Sequence, residues 1–125
     1  VKKILVVDDD AEMKLYVSSI LSARGYEVRS VETGCEALAA MRNEFFDLVI
    51  LDVLLPDTNG LDLCMKMKDF SPDGHLPVIL LSSITDQTVI EHGLKNGADA
   101  FMNKPPSPVE LVGRTVGLLA AAGVP

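Results

Sequence analysis

Four polar clusters in this sequence stand where a short apolar run stops. Asp8, Asp9 and Asp10 follow residues 3–7 (KILVV), and Asp52 follows 47–51 (DLVIL). Ser82 and Ser83 follow 77–81 (PVILL), and Lys104 comes just after the run from Ala100 to Met102. If these ends converge, the carboxylates of Asp8, Asp9 and Asp52 share one region. Two carboxylates about 4 Å apart repel by roughly 4 kcal/mol at an effective dielectric near 20, so such a group binds a cation or takes up protons. Lys104 offers one positive charge. An all-oxygen donor set with room for water suits Mg²⁺, with Mn²⁺ as the alternative, better than zinc, which prefers nitrogen and sulfur. A carboxylate beside a divalent cation can attack a phosphoryl group to form an aspartyl phosphate, with Ser82 and Lys104 placed to bind the remaining phosphoryl oxygens. Alone, an Asp at a strand end is more simply a helix cap, as Asp10 is expected to be, and Ser82 a local hydrogen-bonder. Convergence is what lifts these residues above those simpler roles.

Convergence requires a particular architecture, and the chain has its periodicity. A β-branched run followed by a helix-period segment recurs five times. After residues 3–7, Met13, Val17, Ile20 and Leu21 recur at helical spacing, and Gly25 supplies a left-handed C′ position. Residues 26–31 (YEVRSV) alternate as an edge strand does, and Thr33-Gly-Cys-Glu36 has capping-box spacing ahead of Ala37, Leu38 and Met41. Residues 47–51 and 77–81 are too continuously apolar for a one-sided strand, which predicts central strands covered on both faces. Between them, the Pro56-Asp57-Thr58-Asn59-Gly60 turn precedes a helix with Leu61, Cys64, Met65 and Lys68 at helical spacing. A helix over about 86–96 closes at Gly97, a strand over 100–102 follows, and Ser107-Pro108-Val109-Glu110 opens the last helix with a cap and Pro at its first position. The fold class is α/β, a doubly wound (βα)₅ domain with five parallel strands and right-handed crossovers. Such sheets bind ligands beyond their C-terminal strand ends, where Asp8, Asp9, Asp52, Ser82 and Lys104 fall.

Bulk properties exclude other classes. The chain has 125 residues, the size of one domain, with 48% hydrophobic and 23% charged residues, against a disordered or collagen-like chain. A formal net charge of −7 and the lack of any Lys/Arg cluster argue against direct nucleic-acid binding. The longest apolar stretch, Val116 to Val124, is about half of the ~20 residues that span a bilayer, so no membrane association is expected and the location read is cytoplasmic. Cys35 and Cys64 lack Cys-x-x-Cys spacing and read as buried or half-buried free thiols, while His75 and His92 read as surface residues. Residues 1–125 read as one domain, either stand-alone or cut from a longer multidomain protein.

Four segments in order, ILVVDDD at 4–10, DLVILDVLLPDTNG at 47–60, LPVILLSS at 76–83 and GADAFMNKP at 97–105, resemble the receiver domain of bacterial two-component response regulators, the CheY-like family. The resemblance implies the strand order 2-1-3-4-5. It also implies that Asp52 accepts a phosphoryl group from the phosphohistidine of a sensor histidine kinase or phosphotransfer protein. Asp8, Asp9, Asp52 and the backbone carbonyl of Leu54 would hold Mg²⁺, Asp8 acting mostly through a metal-bound water. Lys104 would pair with the carboxylate and phosphoryl oxygens, and Ser82 would be the switch hydroxyl. Phe101 matches the switch aromatic, Pro56 and Gly60 shape the loop after Asp52, and a cis Lys104–Pro105 bond is implied. The output would pass through the fourth helix, fifth strand and fifth helix to an output domain or downstream protein, with a phosphorylation-dependent homodimer as a further arrangement. Such a domain is no enzyme in the turnover sense, although it assists its own Mg²⁺-dependent phosphorylation and dephosphorylation.

Three departures carry expectations. Leu54 and Ile84 are aliphatic where the family often has polar side chains that orient the hydrolytic water, so dephosphorylation should be slow. Pro106 stiffens the loop after Lys104-Pro105, and Phe101 in place of Tyr removes a hydroxyl, leaving steric gating. Among competing functions, a flavodoxin-type carrier would find its cofactor phosphate repelled by Asp8-Asp9-Asp10, and a haloacid-dehalogenase-type phosphatase needs an acid where Leu54 stands. A degenerate receiver serving only as an interaction module is the remaining alternative.

Overall fold

The computed structural model describes residues 1–71, 76–83, 87–95 and 97–122. Strands and helices alternate as β1 (Lys3–Val7), α1 (Ala11–Ser22), β2 (Glu27–Val31), α2 (Gly34–Asn43), β3 (Leu48–Asp52), α3 (Gly60–Lys68), β4 (Val78–Ser82), α4 (Gln87–Lys95), β5 (Ala100–Asn103) and α5 (Pro108–Ala122). The strands form one parallel sheet in the order β2-β1-β3-β4-β5. Every residue of β3 and β4 is buried, whereas β2 at the edge buries only Val31 fully. The continuous apolar runs thus lie in the middle of the sheet and the alternating run at its border, as their patterns require.

Alternate residues of the central strands feed two core layers. Leu5, Val7, Val49, Leu51, Val78 and Leu80 point to one face, where Ala37, Leu63, Cys64 and Met67 of α2 and α3 cover them. Ile4, Val6, Leu48, Ile50, Ile79 and Leu81 point to the other, under Val17 and Leu21 of α1 and Leu111 of α5. The period of two along a strand therefore places neighbours in separate cores. The helical periodicity of α1 holds, with Met13 and Ile20 packed at the margin of the second layer. In α3, however, Met65 is exposed, and Leu63 and Met67 take the core side with Leu61 and Cys64.

Caps fix where the helices begin. Asp10 is the N-cap of α1, its carboxylate accepting from the Glu12 and Met13 amides at 2.9 and 3.2 Å. Ser107 caps α5 through the Glu110 amide at 3.1 Å, with Pro108 as the first helical residue. Thr33 caps α2 through the Glu36 amide, but Glu36 returns to the Thr33 hydroxyl and the Glu32 amide rather than to the Thr33 amide. Gly25 and Gly97 adopt φ of +89° and +108°. The bonds from Tyr26 N–H to the Leu21 carbonyl and from Ala98 N–H to the Gly93 carbonyl close the ends of α1 and α4 around them.

Of the two thiols, Cys64 is buried and Cys35 is exposed, the latter contrary to the sequence expectation, because Cys35 lies on the solvent side of the first turn of α2. Burial pushes the Cys64 thiol up to about 11. His92 is exposed; His75 falls outside the described residues.

Candidate metal and phosphoacceptor site

β1 and β3 are adjacent and parallel, with Val7 opposite Leu51, so the chain reaches Asp8 and Asp52 side by side at one edge of the sheet. Both are nearly inaccessible, Asp8 at 2% and Asp52 at 6% exposure. Asp9 is exposed at the rim. A carboxylate oxygen from each of Asp8, Asp9 and Asp52 lies within 4.8 Å of the others, a spacing at which one cation could touch all three. The donors are all oxygen, two of them buried, which fits a hard divalent ion such as Mg²⁺.

Lys104 arrives from the loop after β5. Its Nζ lies 2.7 Å from Asp8 Oδ2 and 3.1 Å from Asp52 Oδ2, one ammonium serving two carboxylates. The Lys104 amide donates to the Ser82 carbonyl at 2.9 Å, which ties this loop to the end of β4. The Lys104–Pro105 bond is cis. The other oxygens are also engaged. Asp8 Oδ1 accepts from the Asp10 amide at 2.9 Å, and Asp52 Oδ1 from the Leu54 amide at 3.3 Å.

Burial pushes the Asp52 carboxyl above its ordinary value; the Lys104 hydrogen bond and charge pull it back, while the Asp8 charge adds to the rise. Burial alone would lower the Lys104 ammonium, but hydrogen bonds to Asp8 and Asp52 outweigh it and the net shift is upward. Lys104 is therefore firmly protonated. Three carboxylates against one ammonium leave the cluster with a charge of −2 when ionised.

Ser82 ends β4, one residue beyond Leu81, the register partner of Asp52, and is 1% exposed. Phe101 sits on β5 opposite Leu80, half-buried against the α2/α3 core layer. Leu54 lies just past Asp52 with a side chain 60% exposed, bridged to Asn59 across the loop. Ile84 lies outside the described residues. Gly60 packs directly against the end of β3: a Cβ there would lie 2.2 Å from the Asp52 carbonyl oxygen, so no side chain is tolerated. One site feature escaped sequence reasoning. Asp57 reaches out of the β3–α3 loop to the start of α2, a contact between residues 22 and 23 positions apart that no local pattern announces.

The family model of the response regulator receiver domain matches residues 4–115. The chain belongs to this family. Its receiver fold is shared at a TM-score of 0.91 by the CheY-like response regulator receiver domain protein of Methanospirillum hungatei, 34% identical, with 98% of this chain and 96% of that one covered. Among curated relatives, the transcriptional regulatory protein GltR of Pseudomonas aeruginosa is 39% identical over 121 residues, covering 97% of this chain and 50% of the relative. The DNA-binding response regulator MtrA of Mycobacterium tuberculosis is 38% identical over 113 residues, covering 90% of this chain and 48% of the relative. The receiver chain thus spans about half the length of these relatives. It is a regulatory, phosphoacceptor domain of two-component signalling. Among the described residues, no helix is long and apolar enough to cross a membrane.

Proposed function

We propose that Asp52 is the phosphoacceptor, with Asp8 and Asp9 as acidic partners in a Mg²⁺ site completed by the Leu54 carbonyl. The observation that carries this reading is the buried Asp8–Lys104–Asp52 bridge, an incompletely neutralised acidic cluster at the edge where the sheet's C-terminal ends meet. Uncompensated buried charge costs stability, a cost that a cation and then a phosphoryl group completing the site would offset. Mg²⁺ would neutralise the carboxylates and the oxygens of the incoming phosphoryl group.

In the transfer, an Asp52 carboxylate oxygen attacks phosphorus of a phosphohistidine on a sensor kinase or phosphotransfer protein. The P–N bond breaks, and the electron pair returns to the imidazole, which takes up a proton from solvent. Lys104 holds charge on a phosphoryl oxygen, and Ser82, buried at the neighbouring strand end, supplies a hydroxyl to another. The modification adds roughly −1.5 to −2 charge at residue 52. Lys104 and Ser82 are linked through the Lys104 amide, so drawing them toward the phosphoryl group changes the packing around Phe101 and alters the α4–β5–α5 surface. That surface would contact an output domain, a downstream protein or a second phosphorylated copy. The domain occupies residues 1–125 and works in the cytoplasm, where kinase and nucleotide are available.

Incubation with a small acyl-phosphate donor and Mg²⁺, followed by intact-mass measurement, tests the reading. One added phosphoryl group is expected on the wild type and none on Asp52→Asn. The exposed aliphatic Leu54 leaves no polar group at that position to orient water, so Leu54→Asn should shorten the phosphorylated lifetime several-fold. An unchanged lifetime removes that explanation for slow hydrolysis.

A further inference from the structure

The first three amides of α2, which have no partner within the helix, are all satisfied, but only one of them locally. Thr33 takes it, its hydroxyl accepting from Glu36 N–H at 3.1 Å, while its carbonyl accepts the first helical bond from Ala37 N–H at 3.0 Å. The first two go to Asp57, whose Oδ1 accepts from Gly34 N–H at 2.8 Å and Oδ2 from Cys35 N–H at 2.9 Å. These charge-assisted bonds hold the Asp57 carboxyl below the usual carboxylate range, the Gly34 bond contributing most. The contact is close as well as polar. A Cβ on Gly34 would lie 2.5 Å from Thr58 Cγ2, so the loop tip and helix start abut and Thr58 would have to shift to admit one.

The other end of the same loop is pinned at the site. Leu54 is bridged to Asn59, Gly60 N–H donates to the Val53 carbonyl at 2.6 Å, and the Leu54 amide donates to Asp52 Oδ1. The loop from Val53 to Asn59 is therefore clamped at its stem against Asp52 and at its tip against α2, with Leu54 between. Thr33 already caps the helix, so what Asp57 adds is an external anchor for the loop.

We propose that Asp57 is a positioning residue for the cation site: by anchoring the loop tip to the start of α2 it holds the Leu54 peptide against Asp52, where divalent-cation binding depends on it. This rests on the reading above that Asp8, Asp9, Asp52 and the Leu54 carbonyl bind Mg²⁺. Partners that orient metal ligands from outside the coordination shell are commonly worth about 10- to 100-fold in affinity. By linkage, Mg²⁺ must in turn stabilise the Asp57 contact, so the Gly34 and Cys35 amides gain protection from hydrogen exchange when Mg²⁺ binds.

Mg²⁺ titration of the full chain, followed by amide resonances, separates this role from helix capping when wild type, Asp57→Ala, Asp57→Asn and Thr33→Ala are compared. Asp57→Ala is expected to weaken Mg²⁺ binding about 10-fold and to abolish the Mg²⁺-dependent protection at Gly34 and Cys35. Asp57→Asn, which keeps one acceptor oxygen, should fall between it and the wild type, and this variant carries the comparison if Asp57→Ala does not fold. Thr33→Ala also weakens the start of α2 but should leave Mg²⁺ affinity within about twofold, because it leaves the loop anchor in place. A folded Asp57 variant with wild-type Mg²⁺ affinity overturns the inference, as does a Thr33→Ala defect equal to that of Asp57→Ala. Lack of saturable Mg²⁺ binding by the wild type overturns the metal reading itself, and the inference with it.

Discussion

The two ends of the sheet hold mirror-image charge clusters. At the N-terminal end one carboxylate serves two cations: Glu44 pairs with Lys3 at 2.7 Å and with Arg29, while Asp47 accepts the Lys3 backbone N–H at 2.8 Å. Lys3 and Arg29 face Glu44 and Asp47 there, partly open to solvent, with the Glu27 charge also acting on Lys3 and the Phe46 ring centroid 5.6 Å from its Nζ. At the C-terminal end one cation, Lys104, serves two carboxylates that are almost wholly buried, and Asp9 adds a third nearby. In the first cluster both cations are already paired and partly solvated, so no carboxylate is left buried and without a counter-charge. The second has three carboxylates to one ammonium, two of them desolvated and Asp9 exposed at the rim, so it gains from a cation. The bridging pattern alone would make the two ends look alike; burial and the ratio of carboxylates to cations distinguish them.

The same substitution at the two ends should show this most strongly. Lys104→Met strands two buried carboxylates, and in chelator at pH 7 it should cost about 3 kcal/mol in denaturant melts, with Mg²⁺ restoring part of the loss. It should also slow phosphorylation about 100-fold, the scale of losing one charge-stabilising donor. Lys3→Met, removing a half-buried partner of a solvated pair, should cost well under the Lys104→Met loss, about 1 kcal/mol or less. Equal losses at both ends would erase the distinction. Gly60→Ala comes next. Its Cβ would collide with the Asp52 carbonyl, so a loss of roughly 2 kcal/mol is expected in thermal melts, together with slower phosphorylation.

Smaller effects should differ in sign. The folded pKa of Asp52 is raised by burial, so the stability tied to this group is present below its ordinary value of 3.8 and lost as pH rises through the folded pKa. Asp52→Asn should therefore stabilise the metal-free protein at pH 7 by roughly 0.5–2 kcal/mol, a gain that fades toward pH 4. Glu44 is shifted the other way, lowered chiefly by its hydrogen bond from Lys3. Its contribution is present above 4.5 and lost as pH falls through the lowered pKa, so Glu44→Gln should destabilise slightly at pH 7 and not at low pH. Melts of both variants across pH 4–8 check the opposed slopes; slopes of one sign would contradict the contrast.

Much of this was legible in the chain because strand burial and strand-end chemistry are written locally. Unbroken runs at 47–51 and 77–81 marked the central strands, although β3 and β4 run one residue further, to Asp52 and Ser82. Those two polar residues still pair in the sheet as its last members, and their polarity hid that. Gly25, Thr33, Asp10 and Ser107 each stop or start a helix through bonds to near neighbours, and so could be read. Met65 misled because helical spacing alone does not say which of two adjacent apolar residues turns inward. Asp57 read as an ordinary turn residue, and Tyr16, whose hydroxyl donates to the Pro106 carbonyl at 2.8 Å, carried no signal, since their partners lie 22 and 90 residues away. Local pattern records elements; contacts between loops become visible only when the sheet has gathered them.

The central claim is that phosphoryl transfer ends on one carboxylate, Asp52. The most direct measurement is borohydride reduction of the protein after treatment with a phosphodonor and Mg²⁺, followed by peptide mass mapping, because reduction converts an acyl phosphate carboxyl to an alcohol. Homoserine at position 52, and at neither position 8 nor 9, is the predicted result; unreduced aspartate at position 52 in protein that has gained a phosphoryl group would contradict it.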